Sequence, residues 1–357
     1  MQNYFYQFLR LLTQTLIFWI IAFCIFIFIR YYAIGSEEGI VVTDYSITQI
    51  LRFGVLLGIL IGSLFAVVEF LYDKFLFKNL SLALVLLQKF VIYLIGMIFF
   101  LSYVYNLVEN SSLELNMDND AGWWKEDKVF WLTIGYFVVC SIIFSFIKIA
   151  NEKFGSGVFF NILIGKYRTP KEEKRIFMFL DLQASTTIAE QIGHFKYSEL
   201  IQDCFYQLNR IVNKYDAEIY QYVGDEAVLS WKYKNGLKKN NCVNLFFHFQ
   251  NRIQKKEAYY LTKYNFVPVF KAGLHGGNLI VTEVGSVKKE IAYHGDVINT
   301  SARIQGECNK YNELFLCSNV LIEDLSLKNN YNTEFIGDIE LAGKEVRRKI
   351  SAIRKLK

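Results

Sequence analysis

Residues Arg175 to Thr187 read RIFMFLDLQASTT, and the meaning of the C-terminal half of the chain turns on this stretch. The apolar run before Asp181 has the length and composition of a buried strand. It ends on a carboxylate and passes into small residues, Ala184, Ser185, Thr186 and Thr187, that open a helical pattern. An Asp at this position is commonly a turn former or a helix cap. A strand tip is also a rigid mount for an acid with chemical work to do. The choice between these readings rests on what else the chain can bring to Asp181.

Outward from it the pattern alternates. A strand over Arg175–Leu180 leads into a helical pattern over Thr186–Tyr215. EIYQYVGDEAVLSW follows, two β-rich runs around Gly224-Asp225, which is a hairpin signature. A helical pattern over Asn240–Tyr264 precedes the strand VFKAGLHGGNLIVTEVG, a turn at Lys288-Lys289 and the strand EIAYHG. DVINTSARIQGECNKY then reads as a helix that Asp296 can cap. Strands and helices alternating around a hairpin predict an α+β domain, one sheet with helices on one face, over residues 171–357.

Residues 1–150 are of another kind. The 357-residue chain is 53% apolar and 17% aromatic, too apolar for an ordinary soluble protein, and the excess lies here. Uncharged windows run over Leu11–Ile29, Phe53–Val68, Phe90–Val108 and Val129–Ile147, each near the roughly 20 residues that a helix needs to cross a bilayer. The first and third connections are acidic, and the other sides carry Arg10, Lys74, Lys78, Lys148, Lys153, Lys166 and Arg168. By the positive-inside rule four helices span the inner membrane with both termini cytoplasmic. Trp123 and Trp124 fit an aromatic belt. The first window has no small-residue cleavage site and reads as an anchor. Glu69 and Lys89 sit near cytoplasmic helix ends, where their charges can snorkel to the interface. No paired set of intramembrane charges is evident, which argues against a transporter. Residues 151–170, with Gly155, Gly157 and Pro170, form a connector.

The net charge of +5 follows from this topology. Lys and Arg form no basic stripe interleaved with aromatics, so no nucleic-acid partner is implied. The six cysteines lack metal-ligand spacing and read as reduced, buried small residues.

Three features of residues 171–357 can share chemistry. Asp181 ends a strand beside helix amides able to face an anion. Asp225 sits at a hairpin tip. Asn299 and Arg303 are four apart, on one helix face. Two carboxylates on adjacent strand ends suit Mg²⁺, which takes oxygen ligands and accompanies phosphates. A guanidinium forks onto phosphate oxygens. Singly, each feature has a bland reading: a turn, a cap, a solvated helix face.

Together, FLDLQASTTIAE, YQYVGDEAVLSW, GLHGGNLIVTEVG and AYHGDVINTSARIQ closely resemble the class III nucleotidyl cyclases, the adenylate and guanylate cyclases. The resemblance covers nearly all of Lys171–Ser351 and implies a ferredoxin-like, βαββαβ-type core. It implies that Asp181 and Asp225, assisted by the Leu182 carbonyl, bind two Mg²⁺ or Mn²⁺ ions per site. Asn299 would position the ribose and Arg303 would stabilise charge at the α-phosphate. Metals and Arg come from different subunits in this family, so a homodimer with two shared sites is implied. Ala184, Ser185 and Thr186 would form the phosphate loop, with Ala184 where the family usually has Gly. Lys344, in LAGKEV, falls near a phosphate-binding lysine. The base-reading positions are Gln221 and Ala292, matching neither the usual adenine pair (Lys with Asp or Thr) nor the guanine pair (Glu with Cys). Gln can donate and accept toward adenine, with Lys271 a neighbouring candidate should Gln221 not read the base. Lacking the guanine-type Glu, the chain is expected to be an adenylate cyclase acting on ATP. A guanylate cyclase and a degenerate nucleotide-binding receptor are the alternatives. The membrane region would dimerise the chain and sense a lipid or small ligand.

Overall fold

Long apolar runs without proline give four helices in the computed structural model: α1 (Gln2–Ile29), α2 (Ile47–Leu71), α3 (Leu82–Glu109) and α4 (Lys128–Phe154). The structure describes residues 2–30, 32, 47–72, 81–109, 128–154, 158–287, 289–327, 330–340 and 347–356. It divides into two units, Met1–Ile149 and Ala150–Lys357. All four helices are long and apolar enough to cross a membrane. Trp123, Trp124, Gly155, Gly157 and Lys344 lie outside the described residues.

The first unit packs around Trp19, Phe23, Phe65 and Phe137. Gly58 lets α2 lie directly on α1, since a Cβ there would stand 2.6 Å from the Ile20 Cα. Small residues at such crossings allow the close backbone approach that drives packing in lipid.

One expectation for this unit is corrected. Glu69 and Lys89 do not reach outward separately; they are 3% and 7% exposed and bond to each other. Glu69 Oε2 accepts from Lys89 Nζ at 2.7 Å and also from Lys148 Nζ, while Oε1 accepts from the Tyr93 hydroxyl at 2.8 Å. The acid closes the C-terminal end of α2 onto α3 and α4. A paired set of intramembrane charges therefore exists. Its members come from three helices, so no single hydropathy window reveals it.

The second unit holds the end of α4 and the short α5 (Val158–Leu163), and is built on an eight-stranded sheet. Strands β1 (Lys171–Leu182), β2 (Glu218–Val223), β3 (Glu226–Lys232) and β4 (Phe270–Val284) run in the order β2-β3-β1-β4, all neighbours antiparallel. Beyond them lie β5 (Glu290–His294), β6 (Phe315–Ser318), β7 (Tyr331–Glu340) and β8 (Arg347–Lys355). Strand β5 pairs with β4, and the remaining order is β4-β6-β8-β7.

Side-chain alternation along β1 makes two cores. Ile176, Met178, Leu180 and Leu182 face a helical layer of α6 (Ser185–Ile192), α7 (His194–Val212), α9 (Asn241–Gln254) and α10 (Glu257–Tyr264). The short α8 (Tyr233–Leu237) and α12 (Asn319–Asp324) connect strands at this layer's edge. Phe177 and Phe179 face the other side, with Val228, Leu279 and Val281. That side is not bare, as the sequence pattern suggested, because α11 (Asp296–Gly306) lies over β4 and buries Val297 and Ile304. Gly273 makes this possible: a Cβ there would meet the Gln305 nitrogen at 2.2 Å.

Local chemistry also breaks two long helical readings. Gly193, at φ 77°, separates α6 from α7, and the Lys255-Lys256 pair separates α9 from α10. Asp296 is the first residue of α11, with Gly295 at the cap position before it, and the Asp296 carboxylate meets Arg348 at 3.5 Å. The six cysteines are free and five are buried.

Candidate active site

Strand register builds the site. Asp181 lies opposite Glu226 of β3 on one side and opposite Lys271 of β4 on the other. Directly paired residues project to the same face, so the three form a row across the sheet. This is the face of Phe177 and Phe179, the one that α11 covers. Alternation thus sends Asp181 away from the helical core that Leu180 and Leu182 enter. Leu182, the last residue of β1, is buried opposite Phe270.

Asp225 comes from the two-residue turn between β2 and β3. Gly224, at φ 60°, takes the first turn position, the arrangement of a type II′ hairpin. The turn brings Asp225 beside Asp181, close enough for its charge to act on Asp181. Tyr197 of α7 lies near enough for the charges of Asp225 and Asp181 to act on its hydroxyl. Asp181 Oδ2 accepts from Gln305 Nε2 at 2.9 Å and pairs with Lys271 Nζ at 3.2 Å. Lys271 also donates to Asn309 Oδ1 at 3.2 Å.

The electrostatics are those of an acid-rich site. Burial raises the Asp181 pKa; Lys271 opposes the rise and Asp225 adds to it. Burial, followed by the charges of Asp181 and Asp225, pushes Glu226 up to about 7. Tyr197 rises to about 12 through burial and the nearby Asp225 charge. One oxygen shows the imbalance most plainly: Asp225 Oδ2 is buried without a hydrogen-bond partner. A buried carboxylate oxygen left in this state is costly unless a water or a cation completes it.

Oxygen donors from Asp181 and Asp225 fit a hard divalent ion. Two carboxylates are the usual protein share of a Mg²⁺ shell, which water and phosphate complete.

Helix α6 opens at Ser185, preceded by Ala184 at φ 57°, in the left-handed region. This backbone is why glycine is the natural occupant of that position. A cavity of about 310 Å³ adjoins the loop, lined by Gln183, Ala184, Lys271, Asn309, Asn312 and their neighbours.

The other expected residues stand apart. Helix α11 turns Gln305 toward Asp181, and its exposed side carries Asn299, with Arg303 half-buried. Among the described residues no hydrogen bond or ion pair joins Asn299 or Arg303 to either acid. Gln221 owes its placement to a bulge in β2 between Ile219 and Gln221. Ile219 packs on the helical side, and so does Tyr222, whose ring stacks on Phe205 at 4.6 Å. The bulge puts exposed Gln221 opposite Val228, on the face of the acids. Ala292, half-buried, pairs with Thr282 and offers only a methyl group.

Sequence reasoning missed Glu226, Gln305 and Tyr197, and gave Lys271 a different task. Glu226 follows Asp225 directly and was open to notice. Gln305 sits at a buried position of α11, a polar residue in an apolar period. Nothing in the sequence brings Tyr197 or Lys271 to the acids, because register and helix packing place them.

The model of the adenylate and guanylate cyclase catalytic domain matches residues 168–352. Adenylate cyclase 2 of Rhizobium meliloti (strain 1021) is 34% identical over 199 residues, 56% of this chain and 55% of that protein. Human retinal guanylyl cyclase 2 is 25% identical over 174 residues, 46% of this chain and 15% of that protein. The chain thus spans about half the length of the first relative and less of the second. In fold, a bacterial light-regulated adenylyl cyclase is similar with a TM-score of 0.53 and 14% identity, over 64% of this chain and 66% of that one.

Proposed function

Since this chain belongs to the family of adenylate and guanylate cyclase catalytic domains, we propose that it is a membrane-anchored adenylate cyclase converting ATP to 3′,5′-cyclic AMP and pyrophosphate. The observation that carries the reading is the buried, unpartnered Asp225 oxygen beside Asp181. Enzymes of this family use divalent metals. When bound, two Mg²⁺ or Mn²⁺ ions would supply positive charge to the phosphates and ease loss of the ribose 3′-hydroxyl proton.

Asp181 and Asp225 would hold those ions, with the Leu182 carbonyl assisting. The amides of Ala184, Ser185 and Thr186 face the β- and γ-phosphates at the start of α6, and Lys344 adds a cation. Asn299 orients the ribose. Arg303 offsets the charge that grows on the α-phosphate while the 3′-oxygen bonds to phosphorus and the bond to pyrophosphate breaks. Gln221 reads the amino edge of adenine, and Ala292 leaves that pocket apolar.

The site is completed by a second copy. Support comes from α11, which turns Gln305 toward Asp181 and leaves Asn299 exposed, with no hydrogen bond to either acid among the described residues. The four apolar helices anchor the protein in the inner membrane with both termini cytoplasmic. They promote pairing and offer a place for a lipid or small-molecule signal.

Purified, detergent-solubilised protein given equal ATP and GTP with Mn²⁺ tests the proposal. Cyclic AMP as the main product is expected. Cyclic GMP as the main product would move the assignment to guanylate cyclase, and absence of both would favour a nucleotide-binding receptor.

A further inference from the structure

Lys271 is a lysine set into the floor of an acidic site, 8% exposed. Its Nζ lies 3.2 Å from Asp181 Oδ2, the same oxygen that takes the Gln305 amide, so this oxygen already has two donors. The neighbouring acid is treated differently: Asp225 Oδ2 has none. The ammonium has a second acceptor away from the acids, Asn309 Oδ1 at 3.2 Å. Both Lys271 and Asn309 line the cavity that reaches Gln183 and Ala184, where the phosphate loop begins.

We propose that Lys271 is a positioning residue that stands in for the metal at Asp181 and makes cation binding depend on the nucleotide's phosphates. The inference rests on the metal reading of Asp181 and Asp225. A divalent ion that uses Asp181 must displace a cation already paired with it. Without phosphates, the displaced ammonium would remain next to the ion that replaced it, and like charges at such range repel strongly in a poorly solvated site. With a triphosphate at the loop, the ammonium has an anion to turn to across the cavity, and Asn309 lies on that side. Metal alone should therefore bind weakly, and metal and triphosphate should strengthen each other's binding reciprocally. Such an arrangement would limit occupation of the site by free cations when no substrate is present.

The test is Mn²⁺ binding to the full-length protein in detergent, followed by electron paramagnetic resonance. Mn²⁺ is used alone and with inorganic triphosphate, corrected for Mn²⁺ held by triphosphate in solution; no turnover is involved. In the wild type, triphosphate should raise Mn²⁺ affinity by about ten-fold or more, within the usual range for coupled sites. Lys271→Met should bind Mn²⁺ alone about ten-fold more tightly and lose most of that coupling. Lys271→Arg should behave as the wild type. If Lys271→Met fails to fold, the wild-type pair of titrations still decides: equal Mn²⁺ affinity with and without triphosphate overturns the proposal. Unchanged Mn²⁺ affinity in folded Lys271→Met also overturns it, with the metal reading intact if Asp181→Asn abolishes binding. Should Asp181→Asn bind Mn²⁺ like the wild type under both conditions, the metal reading itself fails and takes this inference with it.

Discussion

Glu69 in the first unit and Asp225 in the second each carry buried carboxylate oxygen, and these oxygens meet different fates. Both Glu69 oxygens are bonded, one to Lys89 and Lys148 and the other to the Tyr93 hydroxyl. Asp225 Oδ2 has no partner, and Asp181 beside it makes its surroundings more negative. A buried charge satisfied on every side is a joint, and its removal is felt as lost stability. A buried charge left open is a place that a water or a cation can complete, and for Asp225 the proposed function makes it a cation. On the proposed reading, Glu69 is the structural acid and Asp225 the one that binds metal.

The largest effect should fall on activity. Asp225→Asn is expected to lower cyclic nucleotide formation at least about 100-fold, because on the proposed reading it removes charge where cations would be held. The same change relieves repulsion at Asp181, so thermal stability of the metal-free protein should hold or rise. Turnover near wild type at saturating Mn²⁺ would break the comparison from this side.

Glu69→Gln should do the reverse. It leaves Lys89 and Lys148 without their acid in the bundle, a loss on the order of 3–5 kcal/mol for a buried pair broken at one end. Helix loss on heating in detergent, followed by circular dichroism, measures it. An unshifted transition would mean that the Glu69 joint contributes little.

His248 sharpens the comparison as a group kept uncharged. Burial, then Lys214, Arg252 and Lys255, push its pKa down from 6.5 to about 4, with Tyr215 at hydrogen-bond distance, 2.9 Å. A depressed folded pKa contributes stability that is present above about 6.5 and lost as pH falls through about 4. Half-exposure reduces this to about 1–2 kcal/mol. Denaturant unfolding between these pH values should show that slope in the wild type and a flatter one in His248→Gln.

The smallest effect belongs to Ala184→Gly. Relief of the left-handed strain at φ 57° should slightly outweigh glycine's greater chain entropy, a gain of roughly 0.5–1 kcal/mol. A lower melting temperature would contradict it.

Legibility in the sequence followed the range of the interactions. The four apolar helices, the strand ending at Asp181 and the Gly224-Asp225 hairpin are local, and the sequence places them correctly. Long helical readings failed at Gly193 and at Lys255-Lys256, where local breakers outweighed an amphipathic pattern continuing across them. Helix α11 was legible as a helix, but not its position over Gly273, since the close approach appears only when β4 and α11 meet. The same holds for the site. Asp181 and Asp225 stood out by position in local elements. Lys271 and Gln305 reach Asp181 through strand register and helix docking, and the Glu69 cluster is assembled from three helices. Single-window reading treated Glu69 and Lys89 as two isolated charges for that reason.

The claim that two copies share each site is tested most directly by mixing two dead variants. Asp181→Ala lacks a metal acid and Arg303→Ala lacks the guanidinium, so each homodimer should be inactive. In a mixed dimer, one of the two sites would be built wholly from unmutated parts under two-fold symmetry. Random pairing makes about half of the dimers mixed, so co-expression should recover up to roughly a quarter of wild-type activity. Cyclic AMP is expected from the mixture and none from either parent. A mixture as inactive as its parents, with mixed dimers verified by pull-down through two different tags, would contradict it.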